Sequence, residues 1–289
     1  MKKEYDSPRR NPKSEPGKGS PKIGRPNRPV HGRRSDHDET TSWETSASWY
    51  DKAVGPKGHY YHQHVIIPNL LRLANFDPKG KNSLLDLACG QGILSRHIPK
   101  EVAYVGIDTS PSLISSARRE SKRPDCQFHI GDLSKPLELQ KSFTHAVCLL
   151  AAQNIEDLPQ LFSNASRYLE KGGRFICVIN HPCFRIPRQS HWEVDLNKKT
   201  QYRRIDLYMS SLKIPIQTHP SQQNGSPSTW SFHRPLSVYS AALKQAGLMI
   251  DAIEEWCSDK QSSGKMAAME NRSRKEFPLF LALSAIKLG

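Results

Sequence analysis

The chain has 289 residues, 36% of them hydrophobic and 8% aromatic, enough for one large domain or two small ones. Its 42 Lys and Arg against 28 Asp and Glu give a formal charge of +14, a surplus that favours polyanions as partners. No run approaches the ~18 apolar residues of a membrane span, no apolar stretch follows the N-terminal lysines as in a secretory signal, and six scattered cysteines without a CxxC pair read as reduced thiols of a cytoplasmic protein, with no metal centre.

Residues 1–42 hold eleven Lys/Arg and six Asp/Glu among Pro, Ser and Gly, with almost no apolar side chains. Such a segment cannot offset its ordering entropy and is expected to be a disordered basic tail. From residue 43 aromatic and apolar residues appear at helical spacing. Val65, Leu70, Leu71 and Leu73 suggest an amphipathic helix, with Pro68 bending it or starting a new one, so residues 43–78 read as a helical cap. His59, His62 and His64 have metal-like spacing, but nothing else in the chain completes a cluster. Tyr50 and Tyr60 are candidates for a lid over a bound molecule.

Beyond Pro78 strands and helices alternate. "SLLDLA" is a first strand, with a helix expected after Gly92. "VAYVGID" is a second, and "SPSLISSARRE" a helix with Ser110 as N-cap and Pro111 in its first turn. "CQFHIGD" and "THAVCLLA" are the third and fourth strands. A helix through Leu158, Leu161, Phe162, Ala165, Tyr168 and Leu169 follows, with Gly172 and Gly173 as its stop, and "RFICVIN" is the fifth strand. Residues 182–229 break the rhythm and read as an insertion with its own small structure. "PLSVYSAALKQAGL" is a helix, and "MIDAIEEW" and "FPLFLALSAIKL" are two strands separated by a polar loop. The alternation implies a doubly wound α/β fold around a mostly parallel sheet, with an antiparallel edge where only a loop joins the last two strands.

In such a sheet ligands bind at the carboxyl ends of the strands. Asp86-Leu87-Ala88-Cys89-Gly90-Gln91-Gly92 ends the first strand. The third glycine of a dinucleotide turn is replaced by Ser95, and a Walker lysine is absent. Asp108 ends the second strand sixteen residues after Gly92, where a carboxylate can accept both ribose hydroxyls; Asp132 ends the third, where one can accept from an adenine amino group. At these residues the sequence resembles the class I S-adenosylmethionine-dependent methyltransferases, of the small-molecule type related to the quinone and sterol enzymes. The resemblance covers about 45–289 and is strongest over 82–181. It implies a seven-stranded Rossmann-like sheet with an antiparallel last strand and S-adenosylmethionine as cofactor. Carried over, Asp86, Ala88, Gly90 and Gly92 form the methionine-side loop, Asp108 holds the ribose, and Asp132 with Leu133 holds the adenine. Ala88 stands where the family usually has glycine.

Methyl transfer is an in-line displacement that needs alignment and desolvation more than a dedicated base. On the acceptor side His181 and Asn154 are candidate catalytic residues, and Tyr50, Tyr60, Trp192, Trp230, His233 and Arg234 candidate acceptor contacts. Cys183 invites comparison with cytosine-methylating enzymes, but their Pro-Cys motif after strand four is replaced by Ala152-Gln153-Asn154. A small-molecule acceptor is the expected partner. The alternatives are an RNA or protein acceptor anchored by the basic tail, and a non-catalytic binding module of the same fold.

Overall fold

Strands that are apolar on both sides need cover on both sides, and this requirement organises the molecule. The computed structural model describes residues 41, 43–217 and 228–289. The expectation for residues 1–42 therefore lies outside the described residues, Thr41 apart. β1 (Ser83–Leu87), β2 (Ala103–Asp108), β3 (Gln127–Ile130), β4 (Phe143–Leu149) and β5 (Leu169–Asn180) pair in parallel. With β10 (Leu248–Trp256) and β11 (Phe280–Lys287) they form a seven-stranded sheet in the order β10-β11-β5-β4-β1-β2-β3. β11 is antiparallel to both β5 and β10, so it is an interior strand. The edge strand β10 runs with the parallel set.

Alternation along each strand sends neighbours to opposite faces. Leu85, Leu87, Cys148, Phe175, Cys177, Ile179, Leu281 and Leu283 enter one core with Phe162 and Tyr239. Leu84, Val147, Ile176, Val178, Phe280 and Ala282 enter the other, with Ile66, Leu70 and Ile114. The first core is closed by α4 (Leu158–Tyr168) and α5 (Leu236–Gln245), the second by α2 (Ile67–Ala74) and α3 (Pro111–Glu120). α1 (Ala47–Val54) precedes α2, and Pro68 sits in the first turn of α2, where its missing N–H costs no helical bond. A wide π-helical turn, His62–Ile66, leads into that helix. Ser110 caps α3 as expected, its hydroxyl accepting from Leu113 N–H at 3.1 Å.

Three local expectations are corrected. No α-helix follows Gly92: only the tight turn Leu94–Arg96 forms. The Ser95 hydroxyl bonds back to Gly92 O at 2.7 Å, and Pro99 keeps the chain ahead of it from continuing in helical conformation. α4 ends at Tyr168 rather than at the glycines, because buried Leu169 is already extended and pairs with Phe143. The loop between β10 and β11 contains α6 (Ala267–Glu276), which buries only Met269 and Ser273 and so has no apolar stripe to read. The described part of the insertion forms two β-hairpins, β6 (Ser190–Asp195) with β7 (Thr200–Ile205) and β8 (Leu212–Gln217) with β9 (Ser228–His233), the last extending past residue 229.

Candidate active site

The carboxyl end of β1 is built from backbone that turns three times through the left-handed region: Ala88 at φ +63°, Gly90 at +54° and Gly92 at +71°. Three of its N–H groups are spent within the protein: Cys89 N–H on Ile107 O, Gly90 N–H on Asp108 and Gly92 N–H on Cys89 O, each at 2.9 Å. Asp108, at the end of β2 and 8% exposed, fixes the turn. Its carboxylate accepts from Gly90 N–H and Ser110 N–H, both at 2.9 Å. Burial raises the pKa of Asp108, while those backbone N–H groups pull it down.

An alanine at positive φ carries strain of about 1 kcal/mol that glycine avoids, more than the entropy a glycine adds to the unfolded chain. Ala88→Gly is therefore expected to raise stability by about 0.5 kcal/mol, the reverse of the usual sign, in a denaturant titration.

Asp86 is buried at 2% exposure and receives the Tyr104 hydroxyl at 2.6 Å. Its other oxygen, Oδ1, has no protein partner. Desolvation lifts its pKa from 3.8 to about 7, against the lowering effect of Tyr104. The folded chain then holds a proton that the unfolded chain has released, so stability falls as pH rises between about 4 and about 7, by up to ~4 kcal/mol. Asp86→Asn should flatten that slope in melts taken across the window. An unchanged slope would mean that Asp86 ionises normally in the fold.

Tyr50 on α1 closes the turn from above. A Cβ placed on Gly90 would lie 3.6 Å from Cε1 of Tyr50, and burial with the charges of Asp108 and Asp86 pushes the phenol pKa up. α1 is tied down by Asp51, which accepts from Ser116 Oγ at 2.9 Å and Arg119 at 3.1 Å on α3. Glu44, in the preceding turn, accepts from the hydroxyls of Ser110 and Ser112, and from Ser112 N–H at 3.1 Å. Sequence reading missed Glu44. An isolated glutamate 66 residues from Ser110 gives no local signal.

The other donor-side candidates stand further out. Asp132 lies two residues past β3, half-exposed, accepting from Ser134 N–H at 2.9 Å with Lys135 at 3.5 Å. The Leu133 side chain is buried in the core, and its carbonyl accepts from Asn164 at 3.1 Å. The turn after β4 holds a further left-handed residue, Leu150 at φ +54°.

The acceptor-side candidates fall in separate places. Asn154, 8% exposed, donates to the Trp230 carbonyl at 2.9 Å and ties β9 to the turn after β4. His233 donates to Tyr208 O at 2.8 Å, and Arg234 donates to the carbonyls of Ile155, at 2.9 Å, and Glu156, at 2.6 Å. Lys213 lies 4.8 Å from the Trp230 ring centre. Trp192 instead packs edge-on against Phe277 just past α6, with Arg203 over its ring. Tyr60 stacks on His64 and donates to Asp259 at 3.1 Å beyond the end of β10. His181, at 2% exposure, accepts from Cys183 N–H through Nδ1, which assigns the proton to Nε2, and donates to Glu255 at 2.7 Å. Both ring nitrogens are engaged, and burial lowers its pKa. His181 and Asn154 thus hold the backbone around the site. Among the described residues no group of His, Cys, Asp or Glu is placed to hold a metal, and no helix is long and apolar enough to cross a membrane.

A seven-stranded sheet of this order, with a glycine turn and an acidic residue at the ends of its first two strands, agrees with the Rossmann-like methyltransferase fold that the resemblance implies. Residues 85–177 match the family model described as a methyltransferase domain. The solved structure of an S-adenosylmethionine-dependent methyltransferase from Mesorhizobium loti is similar over 81% of this chain and 100% of its own, with TM-score 0.62 and 26% identity. Among curated proteins, a dTDP-3-amino-3,6-dideoxy-alpha-D-glucopyranose N,N-dimethyltransferase of Streptomyces fradiae is 31% identical over 107 residues, 37% of this chain and 40% of its own length. A ubiquinone biosynthesis O-methyltransferase of Coxiella burnetii is 28% identical over 131 residues, 43% of this chain and 56% of its own. The chain thus spans 40% to 56% of these two relatives. Residues 85–177 therefore match a methyltransferase domain, within a fold similar to that of S-adenosylmethionine-dependent methyltransferases.

Proposed function

We propose that the protein transfers a methyl group from S-adenosylmethionine to a small-molecule acceptor. The observation that carries this reading is the left-handed turn 88–92 held by Asp108, beside a buried Asp86 oxygen that lacks a protein partner. That orphaned acceptor suits a ligand bearing a cationic group, as the amino-acid end of the donor does. Asp86, Ala88, Gly90 and Gly92 would hold that end, Asp108 the ribose, and Asp132 with Leu133 the adenine. When bound, the donor supplies an electrophilic methyl on sulfur. The protein's own part is to fix the acceptor in line and exclude water, which Tyr50 serves from above. The names of the relatives, an amino-sugar methyltransferase and a ubiquinone-biosynthesis enzyme, support a small acceptor.

Calorimetric titration with S-adenosylmethionine and S-adenosylhomocysteine tests the donor site. Micromolar binding of both is expected; binding of neither would overturn the reading and favour a non-catalytic module of the same fold. The charge of +14 favours a second reading, an RNA or protein acceptor. Deleting residues 1–42 should leave small-molecule methylation intact, whereas a macromolecular acceptor would lose affinity in a salt-dependent way.

A further inference from the structure

The end of β5 carries a cation that the donor site does not use. Arg185 follows β5 by five residues, and its guanidinium donates to Asn180 Oδ1, at the tip of that strand, at 2.6 Å. It stands over the ring of Phe280, 5.6 Å from its centre, and Phe280 is the register partner of Asn180 on β11. Phe280 in turn meets Tyr61 edge-to-face at 5.7 Å, and the Tyr61 hydroxyl is 3.1 Å from Ser258 Oγ. On the far side of that aromatic pair Lys260 lies 5.0 Å from the Tyr61 ring centre. Two exposed cations therefore stand near the half-buried Tyr61, while Phe280, at 3% exposure, belongs to the core.

Neither cation is neutralised by the protein: among the described residues no carboxylate forms an ion pair with Arg185 or Lys260. The nearby acids are committed elsewhere, Glu255 to His181 and Asp259 to Tyr60. Arg185 is exposed, as is Lys260, so both cations are open to a visiting anion. A guanidinium with no carboxylate partner keeps its remaining N–H donors free for an anion.

Position gives the cation its meaning. β5 is separated from β1 by β4 alone, so Asn180 lies two strand spacings, roughly 10 Å, from the donor turn along the same edge of the sheet. That is the length of a small planar molecule. Leu149 and Leu150, partly exposed at the end of β4, lie between. We propose that Arg185, assisted by Lys260, anchors an anionic group of the acceptor, a carboxylate or a phosphate, whose apolar body lies along the half-buried Tyr61 and past Leu149 and Leu150 toward the donor turn. The proposal rests on the methyltransferase reading of that turn. Arginine suits the task because its planar fork pairs with both anions in two-point geometry.

The test uses the full chain with benzoate and phenyl phosphate as probes, followed by ligand-observed NMR, and S-adenosylhomocysteine binding measured in parallel by calorimetry. At least one probe should bind, and which of the two binds identifies the anion. Arg185→Met should weaken that probe about tenfold or more, and Lys260→Met by a smaller factor, with S-adenosylhomocysteine affinity unchanged in both. If Arg185→Met loses both ligands through misfolding, Arg185→Lys and the exposed Lys260→Met decide by the same comparison. Probes that bind all variants as they bind the wild type, or bind none while S-adenosylhomocysteine binds normally, would overturn the anchor alone. Failure of the wild type to bind S-adenosylhomocysteine would instead remove the methyltransferase reading, and the anchor with it.

Discussion

Replacing Asp108 by asparagine is expected to weaken donor binding about 100-fold. The side chain is the hub of the site, because both oxygens already accept backbone N–H groups, from Gly90 on one side and Ser110 on the other. An amide of the same shape turns one acceptor into a donor that faces a donor. Leaving one such buried N–H unsatisfied costs about 1–3 kcal/mol, toward the upper end when the lost acceptor was charged. The loss falls on both the turn and the ribose contacts proposed for this carboxylate. Calorimetry with S-adenosylhomocysteine reads the effect directly. An affinity within threefold of wild type would remove Asp108 from the donor site and leave it only the task of holding the turn.

Gly92→Ala is expected to be the most destabilising small substitution in the turn. Two independent terms act there. The backbone sits at φ +71°, and a Cβ would lie 2.8 Å from Cε1 of Phe128 and 3.1 Å from Cβ of Ala117. Ala117 belongs to α3 and Phe128 to β3, so neither can yield without moving the wall of the second core. Strain and overpacking together should cost about 3 kcal/mol, roughly 8 °C in thermal midpoint for a chain of this size. Gly172→Ala separates the terms. Its φ of +75° is similar but nothing lies within 4 Å of the added carbon, so only the strain of about 1 kcal/mol should appear. Equal effects at the two glycines would refute the packing contribution.

The turn after β1 was legible in the sequence because its information is local. A strand reads as an apolar run, its end as an aspartate, and the close approach as glycines. Asp86, Gly90, Gly92 and Asp108 stand together at the adjoining ends of β1 and β2, and Ser110 caps α3. Contacts between residues far apart in the chain follow a different physics and leave no local pattern to read. Glu44 reaches Ser110 across 66 residues, and Asn154 reaches Trp230 across 76. α6 is a charged helix held against the β6–β7 hairpin by contacts such as the Ser273 hydroxyl on Gln201 O at 3.0 Å, so its own residues show no amphipathic stripe. His181 was read as chemistry because of where it falls in the chain. Its bond to Glu255 on a strand 74 residues away, and the N–H it accepts from Cys183, show what it holds.

The interior place of β11 bears on how the molecule can be made. Residues 280–287 fill the slot between β5 and β10, pairing on both sides. Until they arrive β5 presents an open, apolar edge, and β10 has no strand beside it. During synthesis the sheet therefore cannot close progressively from one end. Its halves must wait for the last strand and zip around it, and a nascent chain halted before residue 280 carries a sticky ladder of unpaired backbone groups.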